Sequence, residues 1–96
     1  MDLLITYDIT DTEDEGATRL RAVAEVCEAY GIRAQFSVFE CRVSPAKYAK
    51  MVGELADAID PNRDSIHIYR LAGSIVSNRS TLGITKHQEV GKPWIF

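Results

Sequence analysis

This sequence predicts an α+β fold of the βαββαβ kind, and three observations carry the prediction. Apolar residues alternate with a period of two near the N-terminus and again near residue 68. Two longer segments repeat apolar residues at helical spacing, and capping or turn residues fall at the joints between them. Strands separated by helical segments of this length build layers around one core. The 96 residues, 46% hydrophobic and 26% charged, suffice for a single domain spanning 1–96 and leave no room for a second core.

In the first strand Leu3, Ile5, Tyr7 and Ile9 fall on one face, and Leu4, Thr6 and Asp8 on the other. The first set is a core face. The second is mixed and ends in a carboxylate, a group depleted in strands and almost never buried unpaired. Asp8 therefore either caps a turn after the strand through Asx-type bonding or faces a place where negative charge is useful. The acid-rich segment 11–16 (DTEDEG) follows. Thr12 with Glu15 fits a capping box at a helix start, whereas Gly16 favours a solvated loop.

Leu20, Val23, Ala24 and Cys27 mark a helix whose wet side carries Arg21, Glu25 and Glu28, with Gly31 as its stop. Residues 33–43 (RAQFSVFECRV) are rich in aromatic and β-branched residues. Their alternation breaks at Val38-Phe39, which means a bulge or a tight reversal that makes two strands. Ser44-Pro45 starts a second helix, with Tyr48, Met51, Val52, Leu55 and Ile59 along one stripe. Asp60-Pro61-Asn62 ends it, and 65–71 (SIHIYRL) is a further strand. With a reversal in the middle the order is ferredoxin-like. The tail, 72–96, has no helical period. An extra C-terminal strand is expected around Thr81 to Thr85, and the apolar end Trp94-Ile95-Phe96 is expected at a homodimer interface.

Several function classes drop out on composition. No apolar run reaches the roughly 18 residues that span a bilayer, so no membrane partner is expected. Met1-Asp2-Leu3 lacks the basic start of a signal peptide, and Cys27 and Cys41 form neither a C-x-x-C pair nor a secreted framework. They read as reduced thiols of a cytoplasmic protein. A net charge of −3 argues against a general nucleic-acid coat, so polyanion binding must rely on clustered arginines or a metal ion. His67, between Ile66 and Ile68, reads as a surface strand residue, and His87 lies in the tail. Neither has a partner at metal-ligand spacing, so no zinc site is expected.

Tyr7-Asp8-Ile9, the arginines early in the first helix, the block 35–40 (QFSVFE) and the series Asp60-Pro61, Asp64-Ser65-Ile66, Ile68-Tyr69 follow one another over about three-quarters of the chain. Together they resemble the small CRISPR-associated adaptation protein, the second of the two core acquisition proteins. The resemblance implies a ferredoxin-like fold and a symmetric homodimer whose sheets face one another. It also implies association with the CRISPR integrase subunit and metal-dependent endonuclease activity on double-stranded DNA or single-stranded RNA. Residue by residue, it implies Asp8 as metal ligand and catalytic group, Tyr7 and Phe39 as further catalytic-site residues, and Arg19, Arg21 and Arg33 as nucleic-acid contacts. The segment 11–17 is longer than the family's usual link, and the assignment of Arg19 and Arg21 depends on placing the insertion there.

The expected cation is Mg²⁺ or Mn²⁺, which prefer oxygen ligands and retain several waters. One Asp8 gives few ligands, but a two-fold axis would bring its copy close. The alternative function is a non-catalytic dimeric scaffold that bridges integrase subunits and holds spacer DNA by its backbone. Without the resemblance, the fold equally suits a regulatory or small-ligand domain.

Overall fold

In the computed structural model, which describes residues 1–84, the elements run β1 (Asp2–Asp8), α1 (Gly16–Tyr30), β2 (Gly31–Gln35), β3 (Val38–Arg42), α2 (Pro45–Ala58), β4 (Ser65–Arg70) and α3 (Ile75–Asn78). The four strands form one sheet in the order β2-β3-β1-β4, and each adjacent pair is antiparallel. Helices α1 and α2 make the two crossovers, which is the ferredoxin-like arrangement anticipated from the sequence. Leu3, Ile5 and Tyr7 of β1 and Phe39 and Cys41 of β3 are buried in one core with Val23, Cys27, Met51 and Leu55 from the helices. The alternate residues Leu4, Thr6 and Asp8, with Val38 and Glu40, Ser65, His67 and Tyr69, occupy the other face of the sheet.

The middle segment settles as a hairpin. Phe36 and Ser37 form the turn, and the pairing shifts between Arg33 and Gln35 of β2, so a bulge accompanies the reversal. The predicted start of α2 is present: Ser44 precedes Pro45 and its hydroxyl accepts from the Lys47 N–H at 3.2 Å. One local expectation is corrected. No Thr12–Glu15 capping box forms, because α1 begins at Gly16 and its cap residue, Glu15, makes no side-chain cap bond. Instead Asp11 adopts φ 55°, and its carbonyl accepts from the N–H groups of Asp14 (3.0 Å) and Gly16 (2.8 Å). Gly31 ends α1 as expected and is its C-cap, with extended backbone at φ −157°. Glycine serves there because a Cβ would land on the Glu40 carbonyl and the Cys41 Sγ of β3.

A one-turn helix, α3, stands where no helical period was visible. Ser74 caps it by accepting from the Ser77 N–H at 3.1 Å. The Asp2 carboxylate accepts from the Ile75 N–H at 2.8 Å, and Arg79 pairs with Glu40 at 2.6 Å. Ile75 is thereby buried near the end of the sheet that holds Asp2 and Arg42. Residues 81–84 form no strand, and the triplet Trp94-Ile95-Phe96 and His87 lie outside the described residues.

Candidate active site

Asp8 is the last residue of β1 and pairs with Ser65 of β4. The strand's alternation turns it away from the core, and it is exposed. Its carboxylate has no hydrogen bond and no ion pair among the described residues, so the Asx-type turn is not formed. The other sheet carboxylates differ. Asp2 accepts two hydrogen bonds from Arg42, at 2.8 and 3.0 Å, which hold its carboxyl below the usual range against the opposing effect of burial. Glu40 receives Arg79. Among the described residues Asp8 is the one sheet carboxylate left without a cationic partner.

The neighbours of Asp8 follow from the register. Thr6 faces His67 and Leu4 faces Tyr69, so Asp8, Thr6, Ser65, His67 and Tyr69 share the same face of adjacent strands. His67 Nδ1 lies 3.3 Å from the Tyr69 hydroxyl. His67 was assigned no role from sequence. Its alternation with Ile66 and Ile68 placed it on the wet face, but only the strand pairing brings that face beside Asp8.

Tyr7 and Phe39 lie on the reverse face. Phe39 is fully buried, and its ring stacks on Tyr7 with centroids 6.2 Å apart. The Tyr7 hydroxyl donates to the Phe36 carbonyl at 3.2 Å, and its N–H donates to the Ser37 carbonyl at 3.1 Å. Burial pushes the Tyr7 phenol up, with the Arg33 charge pulling the other way. These two residues anchor the strand end that carries Asp8 and sit in the core, out of contact with a phosphodiester on the open face.

The three arginines are not gathered into one patch. Arg19 Nε donates to Asp64 at 2.7 Å, and its NH2 group donates to the Thr10 carbonyl at 3.1 Å, so these donors are taken up within the chain. Arg33 lies 5.0 Å over the Phe39 ring and 3.9 Å from Glu28, while its buried Nε has no partner among the described residues. Arg21 is exposed on α1. The thiols are free and buried, which pushes Cys27 up to about 12 and Cys41 up to about 11. They are poor nucleophiles.

A phosphodiester is not cut by a lone carboxylate. Among the described residues no group of three or more His, Cys, Asp or Glu side chains is placed to hold a metal ion. A single exposed carboxylate does fit a hard cation that keeps most of its waters.

The chain was compared with known proteins. The family model for CRISPR associated protein Cas2 matches residues 1–78. The CRISPR-associated endoribonuclease Cas2 of Chlorobaculum tepidum is 43% identical over 72 residues, 75% of either chain. The CRISPR-associated endonuclease Cas2 of Halalkalibacterium halodurans is 38% identical over 94 residues, 98% of either chain. Among solved structures, Streptococcus pyogenes Cas2 superposes with a TM-score of 0.78 at 42% identity, covering 86% of this chain and 100% of that one.

Proposed function

The chain belongs to the CRISPR-associated Cas2 family, and from that premise we propose that it is a metal-dependent endonuclease of CRISPR adaptation, working as a symmetric homodimer with the CRISPR integrase subunit as partner. The observation that carries this reading is the unpaired carboxylate of Asp8, in a sheet whose other carboxylates are each bound by an arginine. The names of the relatives, endoribonuclease and endonuclease, support phosphodiester cleavage, with double-stranded DNA and single-stranded RNA both within reach of the chemistry.

An isologous pairing of the open sheet faces would bring two copies of Asp8 together near the axis. Two such carboxylates repel unless a cation lies between them. Mg²⁺ or Mn²⁺ fits that donor set, and when bound it supplies charge neutralisation at phosphate and a more acidic water. The chain's own residues do the rest. Asp8 holds the cation, and Tyr7 fixes the strand end through the Phe36 and Ser37 carbonyls. Arg21, exposed on α1, brings a guanidinium donor for nucleic-acid backbone that runs beyond the open face.

Asp8→Asn tests the reading. Asparagine keeps the size and removes the charge, so light scattering should still find the dimer while cleavage in Mg²⁺ or Mn²⁺ falls to background. Cutting by the variant at the wild-type rate, or wild-type cutting that survives a chelator, would refute it. The first outcome marks a contaminating nuclease and leaves the non-catalytic scaffold that bridges integrase subunits and holds spacer DNA by its backbone.

A further inference from the structure

The Asp8 carboxylate has no hydrogen bond among the described residues, so its position is set by its backbone alone. One buried side chain grips the chain on both sides of that position. We propose that Asp64, held by Arg19, is the positioning residue for Asp8, an inference that rests on the metal-dependent reading above. Three observations carry it. Two residues beyond Asp8, the Thr10 N–H and hydroxyl donate to Asp64 Oδ1 at 3.1 and 3.4 Å. Across the sheet, Asp8 pairs with Ser65, and Asp64 is the residue immediately before Ser65. Finally, Arg19 closes the clamp. Its Nε and Nη2 donate to the two Asp64 oxygens at 2.7 and 3.3 Å, and Nη2 also donates to the Thr10 carbonyl at 3.1 Å.

Asp64 thus joins the exit of β1 to the entry of β4, the two strand ends that carry Asp8 and its register partner. The Asp60 N–H donates to its Oδ2 at 2.9 Å, which ties both ends to the close of α2. On the other side of Asp8, Tyr7 is already fixed to the Phe36 and Ser37 carbonyls. The Asp64 side chain is 0% exposed, and Arg19 reaches it from α1, on the helical side of the sheet. A second copy seated on the open face therefore leaves the clamp in place. Charge matters here, because a carboxylate receives the guanidinium fork and the backbone donors together, whereas an amide offers one acceptor oxygen. Two-fold pairing makes the placement count twice, since a shift of one strand end is repeated in its copy across the axis.

Mn²⁺ alone is the probe, titrated into the full-length protein and read by the paramagnetic resonance of the free ion, with circular dichroism confirming the fold. Asp64→Asn should weaken Mn²⁺ binding about tenfold or more, the range lost when groups that orient metal ligands are removed. Arg19→Lys keeps the charge and loses the fork, so it should weaken binding in the same direction even if Asp64→Asn does not fold. Gly31→Ala, which strains the β2–β3 pair instead, should lose stability yet bind Mn²⁺ within about twofold of wild type. Asp64→Asn combined with Arg19→Gln removes one charge of each sign and should stay weak. Recovery in that double variant would assign the loss to net charge, and an equal loss in Gly31→Ala would assign it to general loosening. Either result, or wild-type affinity in Asp64→Asn or Arg19→Lys, would overturn the proposal. Asp8→Asn separates this failure from failure of the metal-dependent reading. If it binds Mn²⁺ as wild type does, or wild type binds none, both fall; if binding needs Asp8 but not Asp64, this inference falls alone.

Discussion

Asp64→Ala is expected to destabilise the chain by about 3–5 kcal/mol at neutral pH, and the structure says where that cost arises. The Asp64 side chain is 0% exposed, immediately before β4. It accepts from the Thr10 N–H at 3.1 Å, the Asp60 N–H at 2.9 Å and Arg19 Nε at 2.7 Å, joining the exit of β1, the start of α1 and the end of α2. Alanine would strand two backbone donors, at about 1–3 kcal/mol each, and release Arg19 as well. In a domain of this size each kcal/mol lowers Tm by roughly 4–8 °C, so a fall of at least about 12 °C should follow. Asp64→Asn keeps an acceptor and should cost less.

The same group gives the loss a pH signature. Hydrogen bonds from Arg19, then from the Asp60 and Thr10 N–H groups, hold the Asp64 carboxyl well below the usual carboxylate range, although burial works against them. A depressed folded-state value contributes stability that is complete above the unfolded value of about 3.9 and is lost as pH falls toward the folded one. The stability gap between wild type and Asp64→Asn should therefore be constant from pH 7 to about 5 and shrink below about 4. Urea denaturation followed by circular dichroism at pH 7, 5, 4, 3 and 2 measures both effects. A loss under about 1 kcal/mol for the alanine variant, or a wild-type-to-asparagine gap that ignores pH, would refute the reasoning.

Two further outcomes are expected. Gly31→Ala would drive a Cβ into the Glu40 carbonyl and Cys41 Sγ and should cost about 1–3 kcal/mol, read as a lower urea midpoint with an unchanged slope; an unchanged midpoint would mean that β2 can shift on β3 without cost. Arg21→Ala should weaken binding of non-cleavable duplex DNA for all sequences alike and make the salt dependence shallower by about one unit, and an unchanged slope would remove Arg21 from the phosphate contacts.

Much of the architecture is written locally. The alternation of Leu3, Ile5 and Tyr7 marks a one-sided strand, and Ser44-Pro45 marks a helix start, because a few neighbouring residues decide each. The ferredoxin-like order then follows from the sequence of elements. What could not be read is what depends on distant chain. Arg19 finds Asp64 across 45 positions, and His67 meets Thr6 only through the β1–β4 register. Resemblance pointed to Arg19 as a nucleic-acid contact, and nothing in its local sequence signalled an internal partner. Gly31 does stop α1, as its local sequence says, but its close approach to β3 has no local signal. Helix α3 has a local cap in Ser74, but four residues are too few to show a helical period, and the Ile75 N–H is taken up by the distant Asp2 carboxylate.

The long acidic link after β1 poses a difficulty for a site that must receive a polyanion, and the structure shows how the difficulty is reduced. Asp11 lies three residues beyond Asp8, hence at most about 10 Å along the chain. A unit charge at that distance interacts through water by about 0.4 kcal/mol, and physiological salt, with a Debye length of about 8 Å, weakens this further. Several such charges would still add up. Arg63 binds two of them, Asp11 and Glu15. Two backbone hydrogen bonds to the Asp11 carbonyl close the link on itself, and Thr10 at its head is tied to Asp64. The link is therefore folded back toward the turn between α2 and β4, with part of its charge neutralised there. Asp8 stands just before that anchored segment, so its negative charge is the local one that a cation on the open face would meet.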